Sequence, residues 1–195
     1  MAQPRIYPSQ IHMPGWQDML APALSAQPGA PPTAPDFPVF RNGIKTWAFD
    51  DASLEELWTS VHIIHDWQVG TDLYPHVHWS HTTAPTTPNS TVVWQIEYMT
   101  ARGYSAEQFP ASTTIALEQD VDGAAAYTHH IIEDVGIVLP GASLEIDSLI
   151  LMRIFRDGGA GSDTLTGDAF LLYVDFHYES DGQLTEQRNA PFTKV

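Results

Sequence analysis

The chain has 195 residues, 43% of them hydrophobic, which is enough to bury the core of one domain that carries an appendage. Its 24 acidic and 8 basic residues give a net charge of −16, which disfavours binding to nucleic-acid phosphates and to anionic membranes. The absence of cysteine excludes disulfide bonds and thiolate metal sites. The sequence shows no signal peptide and no apolar stretch of transmembrane length, so we expect a protein made in the cytoplasm whose partner is another protein.

Residues 1–46 contain nine of the 15 prolines in the chain. Proline fixes φ and lacks a backbone N–H, so this composition predicts an extended arm and not a central strand or a long helix. Large apolar side chains recur along the segment, whereas disordered tails lack such anchors. We therefore expect the arm to lie along a surface, either that of its own subunit or that of a neighbour.

Residues 50–60 follow the arm and show the spacing of a helix. Ser53 and Glu56 are placed as in a capping box, in which the two side chains satisfy the first free backbone N–H groups of a helix. Leu54, Leu57, Trp58 and Val61 then recur at helical intervals. The spacing predicts one short helix of about three turns.

From residue 61 onward, apolar and polar residues alternate with the period of two that is typical of β-strands. Turn-forming residues separate the alternating segments, as at Asp122-Gly123 and at 157–161. Pro75 lies inside one segment and favours an edge position or a bulge there. The predicted strands cover residues 61–66, 73–82, 91–101, 112–118, 127–134, 144–156 and 168–179.

The last two predicted strands are long and flank a glycine-rich loop, so we expect them to form a hairpin at the centre of one sheet. Within the final strand, one apolar face is predicted for Phe170, Leu172, Val174, Phe176 and Tyr178. Seven or eight strands with regular turns predict an all-β fold. The predicted architecture is a jelly-roll-like antiparallel sandwich over residues 47–195, with the proline-rich extended N-terminal arm (1–46) and one short helix.

Among nine histidines, His76 and His78 have the spacing that suits a metal ion. Two residues apart on a strand, they point to the same face, where imidazole nitrogens can converge. With Gly70 they resemble the opening of the first cupin motif, Gly-x5-His-x-His, but the glutamate and glycine that should follow are missing. A third ligand would have to come from another strand, from His177, Asp175 or Glu97.

Histidine is also an ordinary polar residue on a half-exposed sheet face, where it hydrogen-bonds to neighbouring strands or subunits. A half-motif arises easily by chance among nine histidines. We therefore predict no metal site and no cofactor, and the candidate ligands of such a site, if it exists, are His76, His78 and His177.

No motif predicts catalysis. The sequence lacks a Gly-x-Ser-x-Gly elbow, a Walker loop and a cysteine nucleophile, so we expect no catalytic residues and no enzyme. A cupin-like metal-dependent enzyme stays the alternative, and a metal ion bound through His76 and His78 would support it.

Three segments resemble small structural proteins of tailed phages and prophages. Residues 72–79 (DLYPHVHW) match a D-[IL]-x-P-H-[VI]-H-W signature, and residues 93–98 (VWQIEY) and 168–179 (DAFLLYVDFHYE) continue the resemblance. Proteins of this group are known mostly as virion components. The resemblance therefore implies a virion context and supplies no catalytic residues.

We expect a structural protein of a tailed-phage virion, made in the host cytoplasm, and specifically a capsid decoration or cement protein. Its partners would be the major capsid protein or other virion subunits, and symmetric display suggests a homo-oligomer, a trimer or dimer. The expected partner-binding residues are the aromatic anchors Trp16, Phe37, Phe40 and Trp47.

Two other roles in the virion remain open. One is an accessory protein of the neck or tail. The other is a receptor- or carbohydrate-binding protein, which exposed aromatic side chains around Trp67, Tyr74 and Trp79 would favour.

Overall fold

A computed structural model describes residues 14–86, 88–134 and 136–194, so residues 1–13 of the predicted arm lie outside the described residues. Regular structure there consists of strands and two three-residue 3-10 helices, Ala23–Ser25 and Gly141–Ser143. Neither of these two helices has the length and apolar character needed to cross a membrane. The strands are β1 Gly15–Ala21, β2 Gln27–Pro28, β3 Val39–Arg41, β4 Ile44–Lys45, β5 Trp47–Phe49, β6 Leu54–His62, β7 Tyr74–His81, β8 Thr91–Ala101, β9 Thr113–Asp120, β10 His130–Glu133, β11 Leu149–Asp157 and β12 Ala169–Ser180.

Two five-stranded antiparallel sheets face each other. Sheet A has the order β1-β12-β7-β10, with β5 beside the first residues of β12, and sheet B has the order β2-β6-β11-β8-β9. From β5 to β12 the chain visits the sheets in the sequence A, B, A, B, B, A, B, A. This is the strand order of a jelly roll, and it confirms the predicted all-β sandwich.

The core lies between the sheets and is rich in aromatic side chains. Trp67, Trp79 and Trp94 are fully buried there, and the Phe49 ring meets Trp94 edge to face with their centroids 4.9 Å apart. Aliphatic side chains of both sheets fill the remaining space. Burial of this apolar surface is the main favourable contribution to the stability of the domain.

The predicted helix at 50–60 is wrong, because residues 54–62 form β6. This strand pairs with β11 along all nine of its residues, and Leu57 and Val61 point into the core with the period of a strand. Ser53 does not cap a helix, since its hydroxyl donates to the Asp50 carboxylate in a turn. Tertiary pairing thus overrides a local helical pattern.

The other strands occur close to where the sequence predicts them, and β8 has the predicted bounds. The segment predicted as a strand at 61–66 is wrong beyond His62, where β6 ends. The predicted hairpin of the last two strands is also wrong, because β11 belongs to sheet B and β12 to sheet A. The loop between them therefore crosses from one sheet to the other.

Pro75 lies in β7, which is an interior strand and not the predicted edge strand. The pairing of β10 with β7 ends at His76, so no neighbour on that side requires an N–H from Pro75. An interior strand accepts proline here because the residue lies just beyond the end of the shorter neighbour.

A β-bulge in β12, between Leu171 and Tyr173, changes which residues face the core. Before the bulge Ala169 and Leu171 point inward, and after it the inward residues are Val174, Phe176 and Tyr178. The predicted five-residue apolar face is therefore wrong in its first half. One extra residue in a strand reverses the alternation beyond it.

The described part of the predicted arm belongs to the sheets of its own chain. β1 extends sheet A along β12, and β2 extends sheet B along β6. Met19 and Ala21 are buried in the core. Because β1 is a proline-free segment between Pro14 and Pro22, it can form the edge ladder that the surrounding prolines would prevent.

Arg156 is fully buried, and the structure satisfies its guanidinium group completely. Its Nε and Nη2 donate to the two carboxylate oxygens of Asp163 at 2.9 and 2.8 Å. Nη1 donates to the carbonyls of Phe49 and Gly167, and Nη2 also donates to that of Leu165. The side chain thereby joins the end of β11 to β5 and to the loop that leads into β12.

Glu55 lies near the same end of the sandwich with its side chain nearly inaccessible to water. Burial raises the pKa of Glu55 to about 7, an effect that the Asp50 backbone N–H opposes and the neighbouring Asp50, Asp36 and Asp168 carboxylates reinforce. The folded protein therefore binds this proton more tightly than the unfolded chain does. The contribution of Glu55 to stability is fully present below about pH 4.5 and is lost as the pH rises to about 7.

We predict that Arg156→Ala lowers the free energy of unfolding by about 3 to 5 kcal/mol, because it leaves the Asp163 carboxylate buried without its partner. Urea denaturation followed by tryptophan fluorescence measures this. Arg102→Ala is the matched control, because Arg102 forms an exposed ion pair with Glu107. Equal denaturation midpoints for the two variants would contradict the role assigned to Arg156.

We also predict that Glu55→Gln becomes increasingly stabilising, relative to the parent chain, as the pH rises. The substituted amide keeps an acceptor for the Asp50 N–H but carries no charge to desolvate, so the difference in unfolding free energy should grow by about 2 to 3 kcal/mol between pH 4.5 and 8. Urea denaturation at both pH values checks this. Glu118→Gln, at an exposed site, is the control and should change the unfolding free energy by the same amount at both pH values. The same pH independence for Glu55→Gln would contradict the prediction.

Candidate functional site

Four strands of sheet A bring histidines and carboxylates together on the outer face of that sheet. Strand pairing places His76 opposite both Asp175 and Glu133, and it places His177 opposite Asp18. His129, which immediately precedes β10, contacts His78 on the same face. We call this group the histidine cluster: Asp18, His76, His78, His129, Glu133, Asp175 and His177.

The cluster faces away from the core because side chains alternate along each strand. On β7, Val77 and Trp79 point inward, so His76 and His78 point outward. On β12, the bulge sets the alternation that turns Asp175 and His177 to the same side. The sequence spacing predicts the shared face of His76 and His78, and the structure confirms it.

His76, His78 and Asp175 form the most buried part of the cluster. Nδ1 of His76 lies 2.5 Å from Asp175 Oδ1, and Nε2 of His78 lies 3.5 Å from the same oxygen. His76 and Asp175 are only 2% and 4% exposed. His76 Nδ1, His78 Nε2 and Asp175 Oδ1 all lack a hydrogen-bond partner among the described residues.

His78 makes its one hydrogen bond through the other ring nitrogen. Its Nδ1 lies 2.9 Å from Nε2 of His129. Burial lowers the pKa of His78, and although the Asp175 carboxylate opposes this, His76 and His129 lower it further. In the tautomer in which Nδ1–H of His78 donates to His129, Nε2 of His78 carries the lone pair on the side of Asp175.

His177 belongs to a more exposed part of the cluster. Its Nε2 lies 3.0 Å from Asp18 Oδ1, and its Nδ1 lies 3.2 Å from Glu133 Oε1. The ring also contacts that of His76, with the two centroids 3.8 Å apart. Asp18, His76 and His177 form a second group whose ligand atoms all lie within 4.8 Å of one another.

Of the three candidate ligands named from the sequence, His76 contacts both His78 and His177, but the possible ligand atoms form two separate groups, one with His78 and Asp175 and one with His177 and Asp18. Of the additional candidates, Asp175 is part of the site. Glu97 is not, because it lies on sheet B and accepts hydrogen bonds from Arg153 and Ser112. Sequence reasoning missed Asp18, since nothing in a sequence shows the register in which β1 pairs with β12.

The four aromatic residues predicted to bind a partner have different environments. Trp16 is exposed and touches the Tyr74 ring, and Phe37 is partly exposed and packs on Trp47. Trp47 also donates from Nε1 to the Ala23 carbonyl, and Phe40 packs against Phe170 and Tyr127. Phe40 and Trp47 thus serve their own subunit, and Trp16 and Phe37 keep exposed surface.

A second surface lies on the outer face of sheet B, on the other side of the molecule. Leu151 of β11 pairs with Met99 of β8 there, Trp58 of β6 lies opposite Arg153 two residues further along β11, and Trp58 and Leu151 are 48% and 37% exposed. They line a shallow, mostly apolar pocket of about 370 Å³. We call Trp58, Met99 and Leu151 the Trp58 patch.

Two of the aromatic residues that would favour sugar binding are not available at the surface. Trp67 and Trp79 are fully buried, and Trp79 donates from Nε1 to Gln119 between the sheets. Tyr74 alone of the three keeps partial exposure, beside Trp16. Trp67 and Trp79 therefore do not provide the exposed aromatic surface that would favour sugar binding, because both side chains fill the core.

Comparisons with known proteins do not show a family. No model of a protein family matches the chain, and no curated protein matches it. Among solved structures, the chain is similar to TmCBM61 in complex with beta-1,4-galactotriose, at 12% identity over 84% of this chain and 86% of the other, with a TM-score of 0.27. A likeness at this level supports no conclusion about function, and membership in a phage structural family stays a prediction.

Proposed function

We propose that this chain is a structural protein of a tailed-phage particle, specifically a capsid decoration protein that docks on the shell through protein–protein contacts. The observation that carries the proposal is the Trp58 patch, an apolar surface on a rigid sheet face of a strongly acidic molecule. The resemblance of residues 72–79, 93–98 and 168–179 to phage structural proteins supports the virion context.

The Trp58 patch has the composition of a binding hot spot. Tryptophan is enriched among the residues that dominate interface energetics, and large apolar side chains grouped on one exposed surface mark sites of interaction. Strands β6, β11 and β8 hold the three side chains on a paired sheet. The surface is therefore preformed, and binding of a partner costs little conformational entropy for ordering these three side chains.

Charges around the patch indicate the chemistry of the partner. Arg153 lies next to Trp58 and is already paired with both Glu56 and Glu97, so the rim of the patch has a net negative charge. The whole chain carries −16. The surface that fits is therefore an apolar pocket with a neutral or basic rim on another virion subunit, and the major capsid protein is the partner that we propose.

The acidic surface also suits a protein displayed in many copies. Mutual repulsion keeps free subunits soluble at high concentration, and attraction to a basic rim acts only at the docking site. Display on a symmetric shell further favours a closed homo-oligomer, a dimer or trimer.

We predict that the double substitution Trp58→Ala and Leu151→Ala abolishes stable incorporation into the particle while leaving the domain folded. Loss of one hot spot reduces affinity by at least roughly tenfold. Cryo-electron microscopy of particles assembled with the variant chain measures its occupancy on the capsid lattice. Val69→Ser is the matched control, because Val69 is equally apolar, exposed and outside the patch.

Three results would contradict parts of the proposal. Full occupancy of the double variant on the capsid would show that the Trp58 patch does not form the interface. Density in a single ring at a vertex or along the tail would make the chain a neck or tail accessory protein. Absence of the chain from every particle, together with specific binding to a sugar array, would favour a carbohydrate-binding role outside the shell.

A further inference from the structure

We propose that the histidine cluster binds one divalent transition-metal ion, of the zinc type, through His76 Nδ1, His78 Nε2 and Asp175 Oδ1. This inference concerns the outer face of sheet A and does not rest on the virion role. The fourth coordination position is left for water or an exogenous ligand, as in open zinc sites.

Asp175 is buried where its carboxylate has little compensation for its charge. Its side chain is 5% exposed, and its Oδ1 accepts no hydrogen bond among the described residues. An ionised carboxylate without a compensating charge or hydrogen bond is costly to bury. Among the described residues, Asp175 makes ion-pair contacts with His76 and His78, which compensate its charge only when they are protonated, whereas a bound cation would compensate it with both rings neutral.

The distances between the proposed ligand atoms can be compared with those of a tetrahedral zinc site. In a tetrahedral site with bonds of about 2.0 to 2.2 Å, neighbouring ligand atoms lie about 3.3 to 3.5 Å apart. His78 Nε2 and Asp175 Oδ1 are already at 3.5 Å. His76 Nδ1 and Asp175 Oδ1 are at 2.5 Å and would have to separate by roughly 1 Å for both to bind one ion.

A second histidine, His129, contacts the proposed ligand His78. His129 lies on the far side of His78, where its Nε2 is placed to accept the Nδ1–H of His78. Such an outer hydrogen bond orients a ligating imidazole and fixes the tautomer that exposes the other nitrogen.

The donor set selects the class of ion. Two imidazole nitrogens and one carboxylate oxygen suit zinc and its neighbours in the first transition row, whereas Ca²⁺ and Mg²⁺ prefer oxygen ligands alone. Asp18 and Glu133, the other two carboxylates of the cluster, form ion pairs with His177 and add negative charge that attracts a cation.

The test uses the full chain without a polyhistidine tag, stripped of metal with a chelator and titrated with zinc in a calorimeter. We expect one zinc ion per chain and a thermal unfolding midpoint that rises by roughly 5 °C at saturation. His78→Gln and Asp175→Asn should each reduce zinc affinity by at least roughly 100-fold, and His129→Ala by roughly 10- to 100-fold. His62→Ala, at an exposed histidine of β6, is the control and should bind zinc normally.

A second measurement needs no variant and so does not depend on the substituted chains folding. Nitrogen NMR of the histidine rings should show zinc-induced shifts at Nδ1 of His76 and Nε2 of His78 and none at His62. Unchanged affinity in His78→Gln and Asp175→Asn would mean that zinc binds adventitiously to other histidines. Loss of binding in His177→Ala with retention in His78→Gln, or no zinc binding at all, would equally overturn the assignment.

Discussion

The bidentate pair between Arg156 and Asp163 is the interaction on which one end of the sandwich depends. Five donors of a single guanidinium reach one carboxylate and three backbone carbonyls that belong to β5 and to the loop between β11 and β12. Asp163 in turn accepts the backbone N–H of Val93 on β8. That loop carries the chain from sheet B to sheet A, so the Arg156–Asp163 pair stabilises the crossover between the two sheets.

With the core and this junction fixed, the two outer faces are free to carry different chemistry. The outer face of sheet A gathers imidazoles and carboxylates, and that of sheet B exposes tryptophan, leucine and methionine. A jelly roll separates the faces by the whole thickness of its core. A partner on the Trp58 patch therefore need not obstruct an ion in the histidine cluster, and the two proposals can hold or fail independently.

Structural features that depend on local periodicity can be predicted from the sequence, whereas features that depend on which strands pair, and in which register, cannot. The alternation in 91–101 predicts β8 with its bounds, and the spacing of His76 and His78 predicts their shared face. The apparent helix at 50–60 is a strand because β11 offers a full-length partner. Asp18 could not be assigned to the site, because its contact with His177 depends on the register between β1 and β12, two segments far apart in sequence.

The bulge at Leu172 also bears on how the chain can change over evolution. Removing this single residue would make Leu171 and Tyr173 neighbours, and their partners Trp79 and His78 are already neighbours on β7. Both halves of β12 would then keep their inward and outward faces, including the outward face that carries Asp175 and His177. A deletion at the bulge should therefore be tolerated better than a deletion within either regular half of the strand, which would turn side chains of that half over.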